Sequence, residues 1–142
     1  MSNVKIWVHL IFSTKYRYPY LKSNIRFELL KHIELNCKAK NIYLKSIGGY
    51  TEHIHCLISL GKEQTIADVA QLIKGESSFW INKNKITSSK FMWQDDYYVR
   101  SVSESHVIKV TNYINNQEEH HSKKSFDDEL KIVLEEFDLV KM

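Results

Sequence analysis

Gly48-Gly49-Tyr50-Thr51-Glu52-His53-Ile54-His55-Cys56-Leu57-Ile58-Ser59-Leu60 reads as a tight turn followed by a β-strand. Side chains alternate along a strand, so His53 and His55 share one face while Ile54, Cys56, Ile58 and Leu60 share the other. Two imidazoles side by side on a rigid strand can chelate one divalent metal. A bare His-x-His pair is more often structural. Its meaning depends on a second stretch, Asn112-Tyr113-Ile114-Asn115-Asn116-Gln117-Glu118-Glu119-His120-His121.

The chain has 142 residues, a length that suits one compact domain with its own core, so residues 1–142 are read as a single domain. No apolar run approaches the roughly 20 residues of a membrane span. Met1-Ser2-Asn3-Val4-Lys5 lacks the layout of a secretory signal. Cys37 and Cys56 have no metal-ligand spacing and fit reduced thiols in a cytoplasmic protein. The net charge of +3 is unevenly placed: residues 1–45 hold nine Lys or Arg against Glu28 and Glu34, and residues 104–142 hold nine acids against five bases. This is either chance clustering on a solvated surface or a basic face for a polyanion, with Trp7, Tyr16, Tyr18 and Tyr20 close by.

Val4 to Thr14 alternates as a first strand, with one apolar face and one mixed face. A basic, aromatic loop from Lys15 to Tyr20 follows. A helix from about Asn24 to Ala39 has Ser23 as its N-cap and Ile25, Leu29, Ile33 and Cys37 as its buried stripe. Ile42 to Ile47 is a second strand, and Gly48-Gly49 begins the turn into the histidine strand, giving a hairpin. Thr65, with Asp68 three residues on, caps a helix that runs to about Asn82 and is interrupted by Gly75. Tyr97 to Ser103 is a fourth strand. A helix from about Glu104 to His121 and a last helix capped by Ser125 complete the chain. The last helix carries an apolar stripe of Phe126, Leu130, Val133, Leu134 and Phe137, with its acids facing out. The first six elements follow the split βαβ order of an α+β, ferredoxin-like or RRM-like fold: an antiparallel sheet with helices on one face, plus two C-terminal helices.

On the helix beginning near Glu104, Val107, Val110, Thr111 and Ile114 form the stripe that faces the core. Tyr113 and Gln117 lie one turn apart beside that stripe. They are either a half-buried tyrosine with a solvated amide, or two functional groups aimed at one place. His120 and His121 are either a second metal site or a polar helix end that meets solvent or phosphate.

Together these residues carry a resemblance. The chain resembles the small single-tyrosine HUH transposases of bacterial insertion sequences, the IS-two-hundred-like group, and their domesticated repeat-associated relatives. The matching pieces are Trp7-Val8-His9-Leu10-Ile11-Phe12-Ser13-Thr14-Lys15, Gly48-Gly49 before His53-Ile54-His55, Ile73-Lys74-Gly75-Glu76-Ser77-Ser78, Trp93-Gln94-Asp95-Asp96-Tyr97 leading into Ser101-Val102-Ser103, and Tyr113-Ile114-Asn115-Asn116-Gln117 with His120-His121. They run in order from about Trp7 to Phe137.

The resemblance implies a metal-dependent nuclease and strand transferase that cuts and rejoins single-stranded DNA at hairpin-bearing element ends. It makes His53 and His55 ligands of Mg²⁺ or Mn²⁺, Gln117 the helix-borne third ligand, and Tyr113 the nucleophile that forms a 5′-phosphotyrosine. It also implies a homodimer whose active sites are shared between chains. Two departures from the family are small: Glu52 precedes the histidine pair where many relatives have aspartate, and Cys56 replaces a usual leucine. Two other readings stand beside this one. One is a domesticated nickase acting on repeated palindromes with the same residues. The other is a non-catalytic RRM-like nucleic-acid-binding module, which needs stacking aromatics on the sheet face and neither Tyr113 nor metal.

Overall fold

A computed structural model describes residues 2–117 and 125–136. The elements are β1 (Trp7–Ser13), α1 (Ser23–Ala39), β2 (Tyr43–Gly49), β3 (His53–Ser59), α2 (Ile66–Lys83), β4 (Tyr98–Val102), α3 (Val107–Asn115) and α4 (Phe126–Glu136). The four strands form one sheet in the order β2-β3-β1-β4, and every pairing is antiparallel. This is the expected ferredoxin-like order, with the histidine strand β3 held between β2 and β1.

Alternation divides the strand residues between two cores. Val8, Leu10, Phe12, Ile54, Cys56 and Ile58 pack against Leu29, Ile33 and Cys37 of α1 and Val69, Ala70, Ile73 and Ile81 of α2. On the opposite face, Trp7, Ile11 and Leu57 pack against Val107, Val110 and Ile114 of α3 and Phe126 and Leu130 of α4. The mixed face of β1 is therefore covered as well, and all seven of its residues are buried. Val4 and Ile6 fall outside the strand, and Ile6 is exposed. With that second face occupied by two helices, it offers no open platform for bases, as an RRM-like module would require.

Two of the predicted caps form. The Asp68 amide donates to Thr65 Oγ1 at 3.1 Å and the Asp128 amide to Ser125 Oγ at 3.2 Å. Ser23 does not cap α1; it lies inside the first turn, after Lys22. α2 runs unbroken through Gly75, where an added Cβ would meet no atom within 4 Å. The helix expected over 104–121 begins as a 3₁₀ turn, Glu104–His106, and its α-helical part ends at Asn115. His120, His121, Phe137 and the side chains of Val133 and Leu134 lie outside the described residues.

Gly48 and Gly49 belong to β2 and not to the turn. They pair with His55 and Ile54, and the reversal falls on 50–52, with the Tyr50 amide donating to His53 O at 3.0 Å. Neither glycine has positive φ. What Gly48 provides is room, because a Cβ there would lie 2.2 Å from the Ile114 carbonyl oxygen in α3. The helix backbone rests directly on the strand backbone.

Candidate metal centre and nucleophile

Gly48 lets α3 sit down on β2, and Ser46 Oγ donates to Asn115 Oδ1 at 2.8 Å across the same contact. This seat places Tyr113 over the histidine face, with its ring edge-on to His55 at a centroid distance of 5.8 Å. His53 and His55 are both completely buried on that face. Gln117, just past the end of α3, is buried too. Its amide NH₂ donates to the Tyr113 carbonyl at 3.4 Å, which turns its oxygen toward His53 Nε2 at 3.2 Å. The four residues singled out from sequence thus converge within one chain.

Four further residues complete the cluster. Glu129 of α4 is buried, against the expectation that the acids of this helix face outward. Its Oε1 lies 2.9 Å from His53 Nε2 and 3.0 Å from His55 Nε2, while its Oε2 accepts the Tyr113 phenol at 2.5 Å. Phe126, one turn earlier, stacks flat on His53 at 4.1 Å. Arg17 covers Phe126 and pairs with Asp127. His9 of β1 brings Nε2 to within 2.8 Å of His55 Nδ1. Glu129 had a readable signal: with Phe126 and Leu130 it falls on the i, i+3, i+4 spacing of a buried stripe. His9 shares an alternation face with Trp7 and Ile11, but only the register of β1 on β3 brings it to His55.

The outer nitrogens of the two histidines are already engaged. His53 Nδ1–H donates to Glu52 Oε1 at 2.7 Å. Burial pulls the His53 pKa down, but hydrogen bonds to Glu129 and Glu52 outweigh it and the net value is raised. Burial, and then the neighbouring His55, hold His9 well below the ordinary imidazole range, so His9 is neutral. His55 shares a hydrogen bond with His9 through Nδ1 and another with Glu129 Oε1 through Nε2, at 3.0 Å, so both of its ring nitrogens have partners.

These donors fit a divalent cation. With Nδ1–H given to Glu52, a neutral His53 presents a lone pair on Nε2 to the oxygens of Gln117 and Glu129. Acceptors that face one another at 2.9 and 3.2 Å need a positive charge among them. A proton fills that role in the metal-free protein, in keeping with the raised His53 pKa. Among the described residues His53, His55 and Glu129 can each offer one ligand atom, all within 4.8 Å of one another. Two imidazoles with oxygen donors form a mixed N/O set of the kind that binds divalent cations.

Comparison with known proteins bears on family and fold. The profile of a family described as "Transposase IS200 like" matches residues 2–117. The ISDra2 transposase TnpA of Deinococcus radiodurans is 28% identical over 116 residues, which span 77% of this chain and 81% of that protein. Two solved structures share the fold. A candidate transposase of Deinococcus radiodurans superposes with a TM-score of 0.67 at 23% identity, covering 82% of this chain and 93% of that one. A REP-associated tyrosine transposase bound to a REP hairpin superposes with a TM-score of 0.60 at 16% identity, covering 82% and 72%.

Proposed function

The chain belongs to the IS200-like transposase family, and from that premise we propose that it cuts and rejoins single-stranded DNA at hairpin-bearing element ends through a 5′-phosphotyrosine on Tyr113. The observation that supports this reading is the single carboxylate that reaches both the histidine pair and the Tyr113 phenol, so Tyr113 and the two imidazoles face one another around Glu129.

Tyr113 Oη attacks the scissile phosphorus. The new O–P bond replaces the bond to the 3′ oxygen. The phenol gives up its proton and the departing 3′ oxygen takes one up, so protons balance. A free phenol with a pKa near 10 is a poor nucleophile at neutral pH. A divalent ion held by His53, His55 and Gln117 supplies charge stabilisation at the phosphate oxygens when bound. With the ion bound, His9 and Glu52 would hold the Nδ1 atoms of the two imidazoles and leave Nε2 to the metal. Rejoining reverses the step: a 3′-hydroxyl attacks the phosphotyrosine and Tyr113 regains its proton. The phosphoryl bond is conserved throughout, so no ATP is needed.

The proposal includes a homodimer and a cytoplasmic setting. No helix among the described residues is long and apolar enough to cross a membrane. Exposed Tyr16 and Tyr18, with Lys15 beside them, give the rim near Arg17 the basic, aromatic character that suits a single strand. The histidines are fully buried as described, so strand entry requires the Arg17–Phe126 cover to lift from His53.

The test is incubation with candidate end hairpins and Mg²⁺ or Mn²⁺, followed by denaturing electrophoresis. A covalent protein–DNA adduct that disappears in EDTA is expected, and its absence with every end of the surrounding element defeats the reading. The domesticated nickase uses the same residues, so hairpin-bearing ends around the gene separate the two. Mixing His53→Ala with Tyr113→Phe reports sharing of sites: recovered cleavage means that the tyrosine serves a partner chain.

A further inference from the structure

Resting on the metal-dependent cleavage proposed above, we propose that Glu129 is an additional ligand of the divalent ion through Oε1 and holds the Tyr113 phenol through Oε2. One carboxylate from the last helix would then set the distance between nucleophile and metal.

The geometry admits a ligand: the separations that serve hydrogen bonds in the metal-free chain are also those of neighbouring ligands on one ion. Two cis ligands on an octahedral ion with bonds of roughly 2.1 Å stand about √2 times that, roughly 3.0 Å, apart. Glu129 Oε1 lies 2.9 and 3.0 Å from the two imidazole nitrogens that face it. Gln117 Oε1, at 3.2 Å from His53 Nε2, takes a further corner. An ion at the common centre of these atoms would retain open positions for phosphate oxygens.

The burial points the same way. Glu129 is only 2% exposed, and a carboxylate withdrawn from water persists where it is paired or bound to metal. Tyr113 donates to Oε2, but Oε1 faces the two Nε2 atoms whose ring partners, Glu52 and His9, already take the other ring nitrogens. The helix also discriminates among its acids. Phe126 and Leu130, three residues before Glu129 and one after, are sunk in the second core, while Asp127 and Asp128 are exposed. Among the described acids of α4, packing therefore delivers Glu129 to the histidines.

Mn²⁺ binding to the full chain, followed by calorimetry and by EPR of the bound ion, tests the assignment. Melting in EDTA identifies any variant that fails to fold, and the near-isosteric Glu129→Gln is included for that reason. Glu129→Ala and Glu129→Gln are expected to weaken Mn²⁺ binding at least about tenfold, while Asp128→Asn, which removes the same charge one residue away, changes it less than about twofold. His53→Ala is expected to abolish binding. Wild-type affinity in Glu129→Ala alongside loss in His53→Ala would overturn the ligand role and leave the metal centre intact. Wild-type affinity in His53→Ala would overturn the centre itself. At saturating Mn²⁺, Glu129→Gln should still form the adduct more slowly than wild type, and full recovery of the rate would refute the hold on the phenol.

Discussion

Gly48→Ala is the sharpest perturbation that the fold offers, because one methyl group tests the seat of Tyr113, the proposed nucleophile. The new Cβ would stand 2.2 Å from the Ile114 carbonyl oxygen, 3.1 Å from its carbon and 3.2 Å from Ile114 Cγ2. Backbone atoms cannot rotate away as a side chain would, so α3 must lift by about 1 Å to restore ordinary contact. Overpacking of this kind costs roughly 1–3 kcal/mol. For a domain of this size that is a fall in Tm of roughly 3–10 °C. Tyr113 is the residue just before Ile114, so the same lift carries the phenol away from the histidines. A misplacement of about 1 Å can lower a rate about 100-fold. Thermal melting followed by circular dichroism, with adduct formation on a hairpin substrate, measures both effects. The expected variant is folded, less stable and much slower to form the adduct. If Gly48→Ala melts and cleaves like wild type, α3 does not rest on β2 as described and the account of how Tyr113 is positioned fails.

Tyr113→Phe removes one oxygen and leaves Glu129 without the phenol's hydrogen bond, a cost of about 1–3 kcal/mol. The protein should remain folded and form no adduct, and peptide mapping that finds DNA of the wild-type adduct on Tyr97 or Tyr98 would identify a different nucleophile. In the proposed site, metal must displace the proton on His53, whose pKa is raised by Glu129 and Glu52 against the effect of burial. Mn²⁺ affinity should therefore fall as pH drops, by up to about tenfold per unit, from a point above the 6.5 of free imidazole. Without metal the sign reverses: the stability from protonated His53 is fully present below 6.5 and lost as pH rises through the raised value. Affinity titrated by calorimetry between pH 5 and 9 that shows no such dependence would exclude His53 as a ligand. Gly75→Ala should stabilise the protein by roughly 1 kcal/mol, since the helix continues through it and nothing lies within 4 Å of the added carbon. A lower Tm in that variant would show that the glycine is needed for its backbone.

Local rules reach a long way into this chain. Alternation alone puts His53 and His55 on one face, the Thr65 and Ser125 caps follow from their hydroxyls and spacing, and the order of strands and helices specifies the antiparallel sheet. Helical pitch suggests the pairing of Tyr113 with Gln117, but α3 ends at Asn115, and Gln117 is instead oriented by its bond back to the Tyr113 carbonyl. What the sequence leaves open depends on contacts between distant segments. Gly48-Gly49 looks the same whether it turns the chain or admits a helix backbone, and only the approach of Ile114, 66 residues later, distinguishes the two. His9 reads as one residue on a mixed strand face until the register of β1 on β3 sets it against His55. Glu129 is one of nine acids in the last stretch of sequence. Its burial depends on α4 lying across the histidine face, a packing choice made by Phe126 and Leu130 against a core drawn from β1, β3 and α3. Hydrophobic burial is non-directional and brings these segments together. The polar groups that arrive with them can be identified only once the surfaces have met.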